Sequence, residues 1–223
     1  MAMNILALET SADACSVAVY SERVLVERHE VAPRRHTELI FALIDEALEE
    51  ARIDRKAIDL VAFGRGPGSF TGVRIAASVA QGIAFAHDLP VAPVSTLFAL
   101  AAGAARLFDA AKVVTVTDAR RKEIYTAAYE LNEDLSSTRV VDAERVIAPE
   151  DFRLPATADW VAVGNGWKEY ENRFAPAMIP PRRPDLPHPR ARDVARIAAI
   201  MHESGQSVAP RNALPVYLRK GVD

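Results

Sequence analysis

The 223-residue chain has a single cysteine, Cys15, and therefore no internal disulfide; burial has to hold it, as suits a reducing compartment. Charge of one sign is missing too. Against 27 Lys and Arg stand 30 Asp and Glu, a net of −3 that gives no electrostatic reason to expect this chain alone to bind nucleic acid. No targeting segment is visible, because the first eight residues carry no basic side chain and Glu9 ends the opening apolar stretch. The longest apolar region, from Ile75, is broken by His87, Asp88, Pro90 and Pro93 short of the ~20 residues a membrane span needs. Internal repeats and low-complexity segments are absent. What remains is a soluble, cytoplasmic protein, 50% hydrophobic, long enough for one large domain or two small ones.

The most informative stretch is 58–86. An apolar run from Ile58 to Phe63, bounded by glycine, predicts a buried strand, and the stretch after Gly72 predicts a helix of about four turns. Between them Gly64, Gly66, Gly68 and Gly72 bring the backbone close to something. Glycine is used where φ is positive or where a Cβ would collide, and amides at a helix start cradle anions. The common phosphate loops are not matched. A Walker loop needs Gly-Lys-Ser/Thr, whereas Gly72 is followed by Val73 and Arg74; Gly64-x-Gly66-x-x-Ser69 lacks the third glycine of the dinucleotide fingerprint. A structural turn and an anion site both stay open.

The following helix has one face of mostly small side chains, Gly72, Val73, Ala76, Ala77, Ala80, Ile83 and Ala84. The opposite face mixes Arg74, Ser78 and Gln81 with Ile75, Gly82 and Phe85. A helix apolar nearly all round is covered on both sides, either within its own core or by its sheet on one side and a partner on the other.

In chain order, residues 4–8, 15–20 and 24–31 read as strands of a meander, with Thr10, Ser11 and Asp13 in a polar turn whose side chains suit bonds to nearby backbone. A helix is predicted over 36–52, its core side running from Leu39 to Ala51 with Phe41 at the edge. His29, Glu30 and His36 do not make a zinc site, since the spacing is longer than His-Glu-x-x-His and Pro33 interrupts it. A strand at 90–94 leads to a helix over 97–108 capped by Ser95 or Thr96. Strands 113–117 and 124–129 form a hairpin with the basic tip Arg120, Arg121, Lys122, a feature ordinarily just solvated that also suits RNA or a partner carboxylate. A strand over 140–147, a short helix from Pro149, a strand over 160–163 and a helix over 167–174 precede six prolines between 176 and 189, which mark an extended crossover. A helix over 190–203 follows, and Tyr217 is expected to pack back.

Gly-Arg-Gly-Pro-Gly-Ser-Phe-Thr-Gly-Val-Arg at 64–74, with the start Met3 to Ser11, resembles the TsaB (YeaZ) family, a bacterial component of the machinery that makes threonylcarbamoyladenosine on transfer RNA. The likeness extends to 118–125, to Gly164-Asn165-Gly166 and to the tail from Pro215 to Arg219, and so spans essentially the whole chain. It implies an α/β fold of two actin-like lobes of the ASKHA superfamily, mixed sheets flanked by helices, with a first lobe over 1–106 and a second over 107–223 whose helix 190–203 packs back on the first.

The resemblance also implies a non-catalytic scaffold that supports a TsaD-like transferase together with a TsaE-like ATPase, pairs with itself when alone, and meets tRNA only indirectly. The alternatives are an independent metallopeptidase or ATPase of the superfamily, and a self-associating interaction protein. In that superfamily the first turn, here Thr10, Ser11 and Asp13, lies by nucleotide phosphates, and TsaD carries His-x-x-x-His where this chain has Thr96 and Leu100. No catalytic or metal-binding residue is expected, because neither side chain replaces an imidazole. In the second turn Asp118, Ala119 and Arg120 replace the small residues that wrap phosphate, and a carboxylate repels phosphate. Both turns are read as vestigial and no cofactor is expected, a nucleotide at a subunit junction being left open. The partner surface is expected on helices 36–52 and 72–87, through Phe41, Arg74, Ser78, Gln81, Gly82 and Phe85.

Overall fold

The expected strands form two sheets in the computed structural model, which describes residues 3–132, 134–135, 137–155 and 159–219. The first contains β1 (Ile5–Glu9), β2 (Ala14–Tyr20), β3 (Leu25–Val31), β4 (Leu60–Gly64) and β5 (Val91–Val94), in the order β3-β2-β1-β4-β5. The first three strands form an antiparallel meander, and β4 and β5 add in parallel. Parallel neighbours need crossovers; α1 (His36–Ala51) lies between β3 and β4, and α2 (Phe70–His87) between β4 and β5.

Side chains alternate across a strand, so Leu6, Leu8, Val17, Val19, Val61 and Phe63 share one face, where they pack with Ile40, Ile44 and Leu48 of α1 and Ala76 and Ala80 of α2. Cys15 is buried in the same core, and burial, followed by Glu30 and Glu9, pushes its thiol up to about 12. It behaves as a small apolar side chain. Ser16 has the opposite parity. Its hydroxyl accepts from the Ala191 amide at 3.0 Å, at the start of α5 (Ala191–Glu203), which therefore covers the other face. Arg190 supplies no side-chain cap, so Ser16 and Glu27, which accepts from the Arg192 amide at 3.2 Å, satisfy the first amides of that helix.

The second sheet repeats the plan. The meander β6 (Lys112–Asp118), β7 (Ile124–Leu131) and β8 (Thr138–Ile147) is joined by β9 (Val161–Val163), parallel to β6, in the order β8-β7-β6-β9. Its core holds Phe152, Trp160, Trp167 and Phe174 with Val114, Val116 and Ile124. Phe152 meets Trp167 and Phe174 edge-on at 5.2 and 5.8 Å, an arrangement that aligns ring edge with ring face. The proline segment runs along β9: the amides of Ala162 and Gly164 donate to the Arg182 and Leu186 carbonyls at 2.9 and 3.0 Å.

The chain divides into two compact units. One ends at Ala99 and regains Arg190–Val216; the other is Leu100–Pro189 with the residues from Tyr217. The division falls between Ala99 and Leu100, in the first half of α3 (Thr96–Phe108), the helix that also contains Arg106; a continuous helix carries the chain past it and no loop marks it. Among local differences, α2 starts at Phe70, where Ser69 accepts from the Gly72 amide. The helix expected over 167–174 is a single turn, α4 (Gly166–Glu169), followed by a 3-10 turn at Glu171–Arg173, since Tyr170 leaves helical geometry with φ −121°. Tyr217 remains 49% exposed.

Candidate functional site

The glycine loop is filled by the chain's own first turn. A Cβ at Gly72 would lie 1.9 Å from the Thr10 carbonyl oxygen, one at Gly64 1.9 Å from the Glu9 carboxylate, and one at Gly68 2.6 Å from Ser11. Three glycines thus face three consecutive residues. The turn reciprocates: Thr10 Oγ1 donates to the Gly72 carbonyl at 2.7 Å, and the Ser69 amide donates to the Ser11 carbonyl at 2.7 Å. Gly66, at φ +99°, reverses the chain, and the Val216 amide in the tail donates to the Arg65 carbonyl at 2.8 Å. Thr10 and Ser11 are buried and Asp13 is half-buried. The bonding of Thr10 is therefore to a segment distant in sequence, not to nearby backbone.

Glu9 closes this packing from below. Its carboxyl accepts from the Ser11 amide at 2.6 Å and from Thr96 Oγ1 at 3.4 Å, while the Gly66 amide donates to Thr96 Oγ1 at 3.2 Å. Burial raises the Glu9 pKa above the ordinary carboxylate range, against the opposing bonds from Ser11 and Thr96. Thr96 thus has a structural task, and Leu100 is wholly buried. Among the described residues no group of three or more His, Cys, Asp or Glu is placed to hold a metal ion. His36 instead bonds the Ala12 carbonyl through Nε2 at 2.9 Å.

The helical surface is less uniform than expected. Ser78, Gly82 and Phe85 are exposed on α2, Phe85 at 82%, and Phe41 on α1 is 57% exposed. Arg74 lies with its guanidinium 3.2 Å above the Phe70 ring and donates to the Phe70 carbonyl. Gln81 is not part of a free outward row. Its amide donates to the Ala213 carbonyl at 3.1 Å and holds the C-terminal tail against α2, a contact across 132 residues that no local pattern announces.

The hairpin tip differs again. Arg120, Arg121 and Lys122 all have positive φ, 61°, 54° and 66°, and all are exposed. The Asp118 side chain, only 6% exposed, accepts from the Arg120 amide at 2.7 Å, from Arg120 Nη1 at 3.0 Å and from the Tyr170 hydroxyl at 2.7 Å. Burial, then the bond to Asp118, pushes Tyr170 up to about 12, so its hydroxyl stays a donor. The Asp118 amide donates to Asn165 Oδ1 at 3.0 Å. Arg173, held by Glu150, donates to the Lys122 carbonyl at 2.9 Å, and Arg219, paired with Glu123, donates to the Ala119 carbonyl at 3.2 Å. Asp118 serves the hairpin itself. Tyr170 and Arg173 escaped sequence reasoning, whereas Asn165 and Arg219 lay in stretches it had singled out without assigning them a role.

Two sheets of one plan, a meander joined by two parallel strands in the first and by one in the second, are the actin-like ASKHA fold, and the sequence matches the family described as "TsaD: tRNA N6-adenosine threonylcarbamoyltransferase" over residues 22–198. The solved structure "YeaZ from Pseudomonas aeruginosa" superposes with a TM-score of 0.90 at 40% identity, covering 97% of this chain and 100% of that one. The chain is 37% identical to the "tRNA threonylcarbamoyladenosine biosynthesis protein TsaB" of Escherichia coli K12, over 99% of this chain and 96% of that protein. The protein of the same name from Haemophilus influenzae is 36% identical, over 99% and 95%. The chain belongs to the TsaB family of tRNA threonylcarbamoyladenosine biosynthesis proteins. Among the described residues no helix is long and apolar enough to cross a membrane.

Proposed function

We propose that this chain acts in threonylcarbamoyladenosine formation as a non-catalytic subunit, docking a TsaD-like transferase through α1 and α2 and working with a TsaE-like ATPase. The observation that carries the reading is the exposed set Phe41, Ser78, Gly82 and Phe85 on those two helices: apolar anchors beside small residues that admit a neighbouring helix. That Thr96 and Leu100 are engaged in the chain's own packing supports leaving the chemistry to the partner. No cofactor is assigned to this chain, and self-pairing through the same face is the expected state when the partner is absent. The test is copurification of the full chain with its host's TsaD-like protein, alongside Ser78→Arg. A close helix crossing is wedged apart by arginine, whereas an exposed serine tolerates it, so affinity is expected to fall by roughly tenfold or more while the melting temperature stays put. A folded variant that binds its partner as the parent does removes this face from consideration. In a separate transfer assay the isolated chain is expected to transfer no threonylcarbamoyl group.

A further inference from the structure

Resting on that reading, we propose that Arg121 and Lys122 at the tip of the β6–β7 hairpin contact the phosphodiester backbone of the RNA substrate. This departs from the expectation that tRNA is met only indirectly. Most charged hairpin ends are merely solvated. Three observations set this one apart.

The first is conformational. The Glu123 amide donates to the Arg120 carbonyl at 3.0 Å, so Arg121 and Lys122 are the central residues of a turn in which both have positive φ. Asn-Gly is the pair that fits such a turn without strain. Two long cationic side chains occupy it instead, after a third residue, Arg120, also at positive φ. A position that asks for glycine and holds arginine is retained for its side chain.

The second is bracing. The carbonyls of Ala119 and Lys122 each receive an arginine, Arg219 and Arg173, and Asp118 receives the Arg120 amide and the Tyr170 hydroxyl. A solvated loop end needs no such support; a presented one does. The third is charge. Asp118, Glu123 and Glu150 are already paired with Arg120, Arg219 and Arg173, and neither Arg121 nor Lys122 has a side-chain partner among the described residues. Two cations are left over at the apex.

Phosphate fits this apex better than a protein does. Protein interfaces gather their energy at buried aromatic and apolar anchors and are depleted in lysine, and no residue that forms or braces the tip is an exposed apolar side chain. Arginine and lysine on a projecting loop are the usual phosphate contacts, and they position a nucleic acid without reading its bases.

The test pairs Arg121→Asn with Lys122→Gly, which suits the turn while removing both charges. The parent and the double variant are each assembled with the TsaD-like partner and titrated against an unmodified tRNA transcript by fluorescence anisotropy across a range of salt. The variant is expected to melt higher and to assemble unchanged. It should bind the transcript about tenfold more weakly, with a salt slope lower by about 1.5, the share of two phosphates. Unchanged RNA affinity and slope, beside a parent that binds RNA, overturn the tip contact alone. Loss of assembly with RNA binding intact overturns it in favour of a protein carboxylate. A parent assembly that binds no transcript overturns both this contact and the function on which it rests.

Discussion

The glycine loop and the hairpin tip are both segments by which the family is recognised, and they use glycine in opposite ways. In the loop, φ is unusual only at Gly66, yet Gly64, Gly68 and Gly72 are also required, because each leaves room for a backbone or carboxylate atom of Glu9, Thr10 or Ser11. At the tip, three successive residues have the φ values that favour glycine, and none of them is glycine. Glycine therefore marks contact between two strands of the chain's own backbone in the first case, and its absence marks side chains worth keeping in the second. The lesson is that a glycine-rich motif beside a helix start is not by itself a phosphate site; the space it clears has to be empty.

The sharpest way to break the comparison is Gly72→Ala set against Lys122→Gly. Alanine normally stabilises a helix relative to glycine, but at Gly72 its Cβ would sit 1.9 Å from a carbonyl oxygen that cannot swing away. The expected loss is about 3 kcal/mol, read as a fall in melting temperature of roughly 6–12 °C. Lys122→Gly relieves a left-handed residue and is expected to add about 1 kcal/mol. If both substitutions move stability in the same direction, the distinction between the two segments fails.

A smaller effect separates the loop from an anion site by its pH dependence. Burial raises the Glu9 pKa, so the folded state holds that proton more tightly than the unfolded chain. Stability from this group is complete below its unfolded pKa and is lost as pH rises through the folded value. Glu9→Gln mimics the protonated carboxyl and keeps an oxygen for the Ser11 amide. The variant is therefore expected to match the parent in acid and to surpass it increasingly toward neutral and alkaline pH, in denaturant midpoints measured across that range. A parent that gains on the variant as pH rises would show a carboxylate stabilised by positive neighbours, as an anion-organising loop would need.

What the sequence disclosed depended on range. The stripes of α1 and α2 and the short strand segments of β1 to β3 are local patterns, and they were legible within a residue or two. So was the resemblance, since its segments are contiguous. Partnerships across the chain were not legible. Nothing near Gln81 points to Ala213, nothing near Ser16 points to the first turn of α5, and the assignment of Glu9, Thr10 and Ser11 to separate glycines needs the register of β1 beside β4. The duplicated sheet plan was legible only through the resemblance, since it repeats in topology while the sequence shows no repeat. The helix expected over 167–174 stops after one turn because Tyr170 is drawn to Asp118, a tertiary bond that outweighs propensity at so short a helix.

Gly82 offers the finest cut between the two uses of glycine. It lies inside α2, ten positions after Gly72, is exposed, and an added Cβ would meet nothing within 4 Å. Neither explanation found elsewhere applies to it, since its φ is not positive and no atom of the chain fills the space. A glycine in a helix interior lowers stability by about 0.5–1 kcal/mol relative to alanine. Gly82→Ala is accordingly expected to raise the melting temperature of the free chain by roughly 1–4 °C. Such a residue gains nothing for the fold that contains it, and the docking face proposed beside Phe85 and Ser78 would supply its reason. The same substitution is then expected to weaken the complex with the TsaD-like partner while it strengthens the chain alone. Two opposite signs from one methyl group locate the contact on this turn of α2; a stabilisation that carries through unchanged to the complex places the partner elsewhere.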